Sequence, residues 1–231
     1  MARCGPSDYD LAMAEDALDA PTSGRIPYSI GQASAVRIPV PGTGGLCVEL
    51  TPRGRIPRTG STSTLFVQDM AGKRQLRLDY GHNHVTKTAD YHWNQRGTHQ
   101  HFGLSGNSSA GRAAQLAYNA AKYFRYAGRV LLVAGAAMDA VSIVAASRPL
   151  RRASEVVAAW AGAWVGCKVA GAGGAMVGTA VSPGLGTASG AFLGCVVGGV
   201  GGYFGGETIA ASVYDWAEGT VFSPVPEVLA P

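Results

Sequence analysis

Between positions 186 and 206 a glycine stands at every fourth residue without a miss: Gly186, Gly190, Gly194, Gly198, Gly202 and Gly206. The preceding segment keeps the same spacing with Gly162, Gly166, Ala170, Gly174 and Gly178. Four residues slightly exceed one helical turn, so these positions line one side of a helix, and the stripe drifts by about 40° per step. A loop has no reason to hold such a period. Small side chains at this spacing let two helix backbones approach closely, a device common in membranes. The turn SPGLG at 182–186 divides the region and predicts a helical hairpin over 155–181 and 186–217.

Energetics narrow the choice. Nine glycines fall within 186–206. In water each costs roughly 1 kcal/mol against alanine in a helix interior. The run therefore forfeits about 9 kcal/mol, comparable to the stability of a whole domain. In a bilayer an unsatisfied backbone group costs several kcal/mol, which holds the helix whatever its propensity. Twenty residues span about 30 Å, one hydrocarbon thickness. Charge agrees: only 15% of the chain is charged, against about 25% in typical soluble domains. The 38 residues between Lys168 and Glu207 carry no charge at all. A membrane-competent hairpin is expected, with a soluble, glycine-packed helical pair as the alternative.

The remaining charge is uneven. Residues 1–154 hold 18 Lys and Arg against 10 Asp and Glu, whereas residues 155–231 hold one Lys and five acids. A basic front half suits phosphates or anionic headgroups. The back half cannot hold nucleic acid by charge. The four cysteines, Cys4, Cys47, Cys167 and Cys195, form no CxxC, give no metal signature and make only a weak case for a disulfide. Reduced thiols are the default expectation. MARCGPSDYD has no apolar core of an ordinary signal peptide.

Residues 1–60 are expected to be a leader or linker, partly irregular, with a short acidic helix at 8–19 and short strands at 35–40 and 46–50. Residues 61–108 read as a small antiparallel meander: TLFVQDM and RQLRLDY alternate on either side of the turn AGK, and TADYHWN supplies a third strand. Residues 109–222 form the helical region, with a helix at 109–126 capped by Ser108 or Ser109 and an apolar segment at 127–147. Asp139 would cost that segment about 2.5–3.5 kcal/mol as a membrane span, so a buried soluble helix is the equal alternative unless Asp139 faces a wet lumen. Pro149 should end any helix there. Were 127–147 and 155–181 both to span, Arg148, Arg151 and Arg152 should stay cytoplasmic. The tail 223–231 is Pro-rich. The fold class is thus α+β, a small meander followed by a Gly-rich, mostly apolar helical region.

All five histidines lie within twenty residues: His82, His84, His92, His99 and His101. The two H-x-H pairs, His82 with His84 and His99 with His101, are weak metal candidates, since i and i+2 share a face in a strand. No Cys or Glu completes a zinc set, so no metal or other cofactor is expected. Asp90, His92 and Asn94 share a strand face and form a candidate catalytic set: a proton-transfer pair with an amide donor. Lys87 and Arg96 lie near enough to hold an anionic substrate. The bland reading is structural histidines; a third is a pH sensor beside the hairpin. Tyr118, Lys122, Tyr123, Arg125, Tyr126 and Arg129 form an aromatic–basic band suited to a membrane interface or to nucleic acid. Lys122, Arg125, Arg129 and Asp139 are the candidate pore or interface residues. No P-loop, GxSxG, HExxH or dinucleotide fingerprint occurs.

The string STLFVQD, LRLDYG, DYHWNQ, AKYFRYAGRVLLVAGAAMDA, RPLRR and WAGAWVGCK, followed by the glycine ladder and VYDWAEGT, resembles the C-terminal toxin regions of bacterial polymorphic toxins of the Rhs and type VI secretion kind. The likeness covers about residues 61–222 and includes no motif with an assigned catalytic role. It implies an antibacterial effector, delivered by a secretion-system carrier into a rival cell and neutralised by a cognate immunity protein. Toxins of this kind with Gly-rich apolar hairpins permeabilise the inner membrane; others are nucleases. The expected function is membrane insertion and depolarisation, non-enzymatic, with the ladder glycines packing helices into a possible homo-oligomer. The alternative is a nuclease or other hydrolase on the His-rich meander.

Overall fold

The computed structural model describes residues 23–50 and 62–221. The expected helix at 8–19 and the tail at 223–231 lie outside them, as does most of the stretch 51–64, whose sequence TPRGRIPRTGSTST reads as a basic linker; its last residues, from Thr62, belong to a strand instead. The chain opens with α1 (Arg25–Ala33), then β1 (Ile38–Pro39), β2 (Leu46–Val48), β3 (Thr62–Asp69), β4 (Gln75–His82) and β5 (Ala89–Arg96). A one-turn helix α2 (His99–Phe102) and β6 (Ser108–Ser109) lead into three long helices, α3 (Gly111–Ala145), α4 (Pro149–Val181) and α5 (Leu185–Val221). The molecule is α+β, with the sheet first and the apolar helices after it.

The sheet has six strands in sequence order, each antiparallel to the next. The three expected strands form its centre. Residues 38–48 join them directly, through Leu46 opposite Asp69 and Val48 opposite Val67. Alternation explains the layering: Leu76 and Leu78 point to one face of β4, Arg77 and Asp79 to the other. The apolar face, with Ile38, Val48, Val67, Leu78 and Trp93, packs on Ala114, Tyr118 and Ala121 of α3 and on Ala175, Ala188 and Ala191 of the hairpin. The β3–β4 turn closes on Asp69, whose carboxylate accepts from the Lys73 and Arg74 amides at 2.8 and 3.0 Å.

The helix α1, at Arg25–Ala33, is not expected from the sequence, and the first long helix departs from the sequence reading in two further respects. The segments 109–126 and 127–147 are one continuous helix of 35 residues, since no Gly-Pro break lies between them. Ser108 and Ser109 pair with β5 as a strand instead of capping that helix. Pro149 does follow the end of α3, but it also opens α4 at the first helical position. There its fixed φ and missing N–H cost nothing. At about 1.5 Å per residue these helices run roughly 50–55 Å, far longer than the sheet they pack on.

Candidate functional site

The two glycine stripes face each other. Gly162 meets Gly202, Gly166 meets Gly198, Ala170 meets Gly194, Gly174 meets Gly190 and Gly178 meets Gly186. The stripe continues one rung further, with Ala158 against Gly206. At each ladder glycine an added Cβ would fall within 3.0 Å of a backbone carbonyl on the opposite helix. The contact is therefore backbone on backbone: at the ladder glycines even a methyl group collides, and alanine is accommodated only at the rungs Ala158 and Ala170. A disulfide between Cys167 and Cys195 ties the same two helices midway along. The sequence spacing alone made little case for that bond. The antiparallel ladder supplies the reason, because it brings residues 28 apart onto facing turns.

The outer surface of the hairpin is the inverse of its interior. Val157, Val165, Val169, Val177 and Val181 of α4 and Leu193, Val197, Ile209 and Val213 of α5 are exposed. Each of the three long helices holds an apolar window of mean hydropathy 1.7, 1.3 and 1.4, of which only 22–28% is buried inside the protein. Three helices are thus long and apolar enough to cross a membrane. Exposed apolar surface on this scale marks an interaction with lipid or protein. Between α3 and α5 lies an apolar groove of about 560 Å³, lined among others by Leu50, Phe66, Phe124, Phe192 and Val196, so the fit of α3 to the hairpin is looser than the hairpin's own.

Asp139 does not open onto a lumen in this state. It is fully buried, and its carboxylate accepts from the Gly24 amide at 2.8 Å, Trp160 Nε1 at 2.7 Å and Tyr203 Oη at 2.7 Å. One carboxylate thereby joins α1, α3, α4 and α5. Of the aromatic–basic band, Lys122, Tyr123, Tyr126 and Arg129 are exposed and Arg125 is half-buried, with its guanidinium 5.0 Å from the Tyr126 ring centre. Tyr118 turns inward and meets Tyr91 edge-on at 5.4 Å. The basic turn is neutralised by acids: Arg148 pairs with Glu218, Arg151 with Glu155 and Asp215, and Arg152 with Glu155 and Glu207. A sequence window around the turn contains only Glu155 of these four acids.

The histidines do not converge. Among the described residues no group of three metal-binding side chains occurs. His82 and His84 meet edge-to-face at 5.4 Å between ring centres. His99 and His101 sit on a helix, α2, where i and i+2 point apart, so the strand argument for that pair does not apply. His92 is the exception. It is buried on β5, with Nδ1 3.0 Å from Asp90 Oδ1. Asp90 also accepts from Asn83 Nδ2 at 3.1 Å and Thr86 Oγ1 at 3.2 Å. Asn94 is engaged elsewhere, donating to Asp79 Oδ2 at 3.1 Å. Asp79, which the sequence reading passed over, sits directly opposite His92 in the ladder. Burial pushes its carboxyl above the usual range, against the opposing pull of Arg77, Asn94 and His92. The arrangement can hold and move a proton at His92, but both Lys87 and Arg96 point to solvent.

Comparison with family models, with curated proteins and with solved structures returns no match for this chain.

Proposed function

We propose that this protein is an antibacterial effector that inserts its glycine-zippered hairpin into the inner membrane of a target cell and depolarises it. The observation that carries this reading is the inverted sorting of the hairpin, with glycine and backbone inside and valine, leucine and isoleucine outside. Such a rod loses little by moving from water into hydrocarbon, because its polar backbone is satisfied internally and its large side chains already face outward. The basic–aromatic band on α3 supplies headgroup contacts. A secretion-system carrier and an immunity protein are the partners this reading requires, and assembly of several hairpins through their outer faces is the route to a pore.

The test is expression in a bacterium, directed to cytoplasm or periplasm, with membrane potential and DNA integrity followed together. Depolarisation with intact DNA is expected, and Gly198→Leu should abolish it while the chain still accumulates. Depolarisation that persists in that variant refutes the proposal. The hydrolase reading is favoured by one feature, the Asp90–His92 hydrogen bond at 3.0 Å. DNA or RNA loss that disappears in His92→Ala would select it.

A further inference from the structure

Among the described residues, α1 differs from the three long helices in how it is seated. Its backbone lies close against α3: a Cβ at Gly24 or Gly31 would fall within 3.0 Å of the Gly135 or Gly128 backbone. Tyr28 stacks on Trp160 at 5.1 Å and accepts from Trp164 Nε1 at 3.1 Å. Yet the buried side of this helix mixes Tyr28, Gly31 and Ala33 with two polar residues. Ser29 and Gln32 are fully buried. Of seven buried side-chain atoms without a hydrogen-bond partner among the described residues, four belong to α1: Arg25 Nε, Ser29 Oγ and both polar atoms of the Gln32 amide. A buried group with an unmade hydrogen bond carries its desolvation cost, and water repairs the deficit as soon as the group is exposed.

The fit in shape and the misfit in polarity pull in opposite directions. Close backbone contact docks the helix; orphaned amide and hydroxyl groups favour its departure. Nine residues are too few to hold a helix alone in water, so departure and melting go together. What α1 covers is the face formed by Gly128 and Gly135 of α3 and Gly199 of α5. Its start is latched by the Asp139 carboxylate, which holds the Gly24 amide. We infer that α1 is a releasable strap. It covers a small-residue face of α3 and α5 while the protein is in water and leaves that face when the helices enter lipid. This inference rests on the membrane reading above.

Two measurements on the full chain test it. Hydrogen exchange in buffer should show the α1 amides exchanging at least 100-fold faster than the zipper amides of 166–178; protection equal to the zipper's overturns the strap. A lock comes from Ser29→Cys with Gly199→Cys, since a Cβ at Gly199 would stand 3.6 Å from the Ser29 Cβ, within disulfide reach. Peptide mapping should first confirm the new cross-link beside an intact Cys167–Cys195 bond. With vesicles of phosphatidylethanolamine and phosphatidylglycerol, the cross-linked protein should release trapped dye at least tenfold more slowly than either single variant. Equal release from locked and unlocked protein overturns the strap alone. A native chain that releases no dye overturns the membrane reading instead.

Discussion

The sheet and the zippered hairpin solve burial in opposite ways. In the sheet, Leu76, Leu78 and Val67 point inward and are fully buried, while Arg77 and Arg96 point outward. In the hairpin the inward positions are glycine and alanine, and Val177, at 68% exposure, points outward. Both are rich in apolar residues. The difference lies in which solvent each expects. A sheet that hides its large side chains is stabilised by leaving water. A hairpin that hides its backbone and displays its side chains gains little from water and much from hydrocarbon.

Substitutions can break this contrast. The largest effect should come from Gly198→Leu, which forces a side chain into the Gly166 carbonyl and the Ala170 methyl. Overpacking of this kind costs about 3 kcal/mol or more where the obstacle is backbone, and vesicle dye release should vanish. Gly201→Leu, on the same helix with nothing within 4 Å of its missing Cβ, should leave dye release unchanged; equal loss in both variants would show that the ladder is not what matters. Reducing the Cys167–Cys195 bond should lower hairpin stability by about 3–4 kcal/mol through loop entropy, read as a drop in denaturant midpoint that Cys167→Ser reproduces. Leu78→Ala should cost the sheet about 2–5 kcal/mol, whereas Val177→Ala should change the unfolding free energy by less than about 0.5 kcal/mol.

The smallest effect concerns the polar face of the sheet. Burial raises the Asp79 carboxyl above its unfolded value. Its stabilising contribution is therefore full below the ordinary aspartate range and is lost as pH rises through the folded pKa. Asp79→Asn should raise the melting temperature at pH 7 and change it little at pH 4. Thermal melts at the two values decide the matter, and a larger gain at pH 4 would contradict the assigned cause.

Legibility followed the range of the interactions. The ladder of Gly162 to Gly206 was visible because its meaning lies in a period along one chain. The central strands were visible because LRLDY and DYHWN alternate. The pairing of Asp90 with His92 was also within reach, two residues apart on one strand. By contrast, Asp79 enters only through the strand register. Gly128 and Gly135 stand seven residues apart, a helical repeat that could have marked them as a contact face, but nothing in the chain announces that α1 is what fills it. The four acids that neutralise Arg148, Arg151 and Arg152 lie mostly at the far end of α5, beyond the reach of any local reading of the turn.

By itself, the sequence determined that two helices would meet through glycine and that the segment containing them would be nearly uncharged. Those properties are written in local spacing and composition, and no tertiary arrangement alters them. Only the tertiary structure decided that Asp139 would be buried among three neutral donors, that Cys167 would reach Cys195, and that a short polar helix would lie across α3 and α5. Each of these depends on groups brought together from distant parts of the chain, where geometry rather than residue type selects the partner.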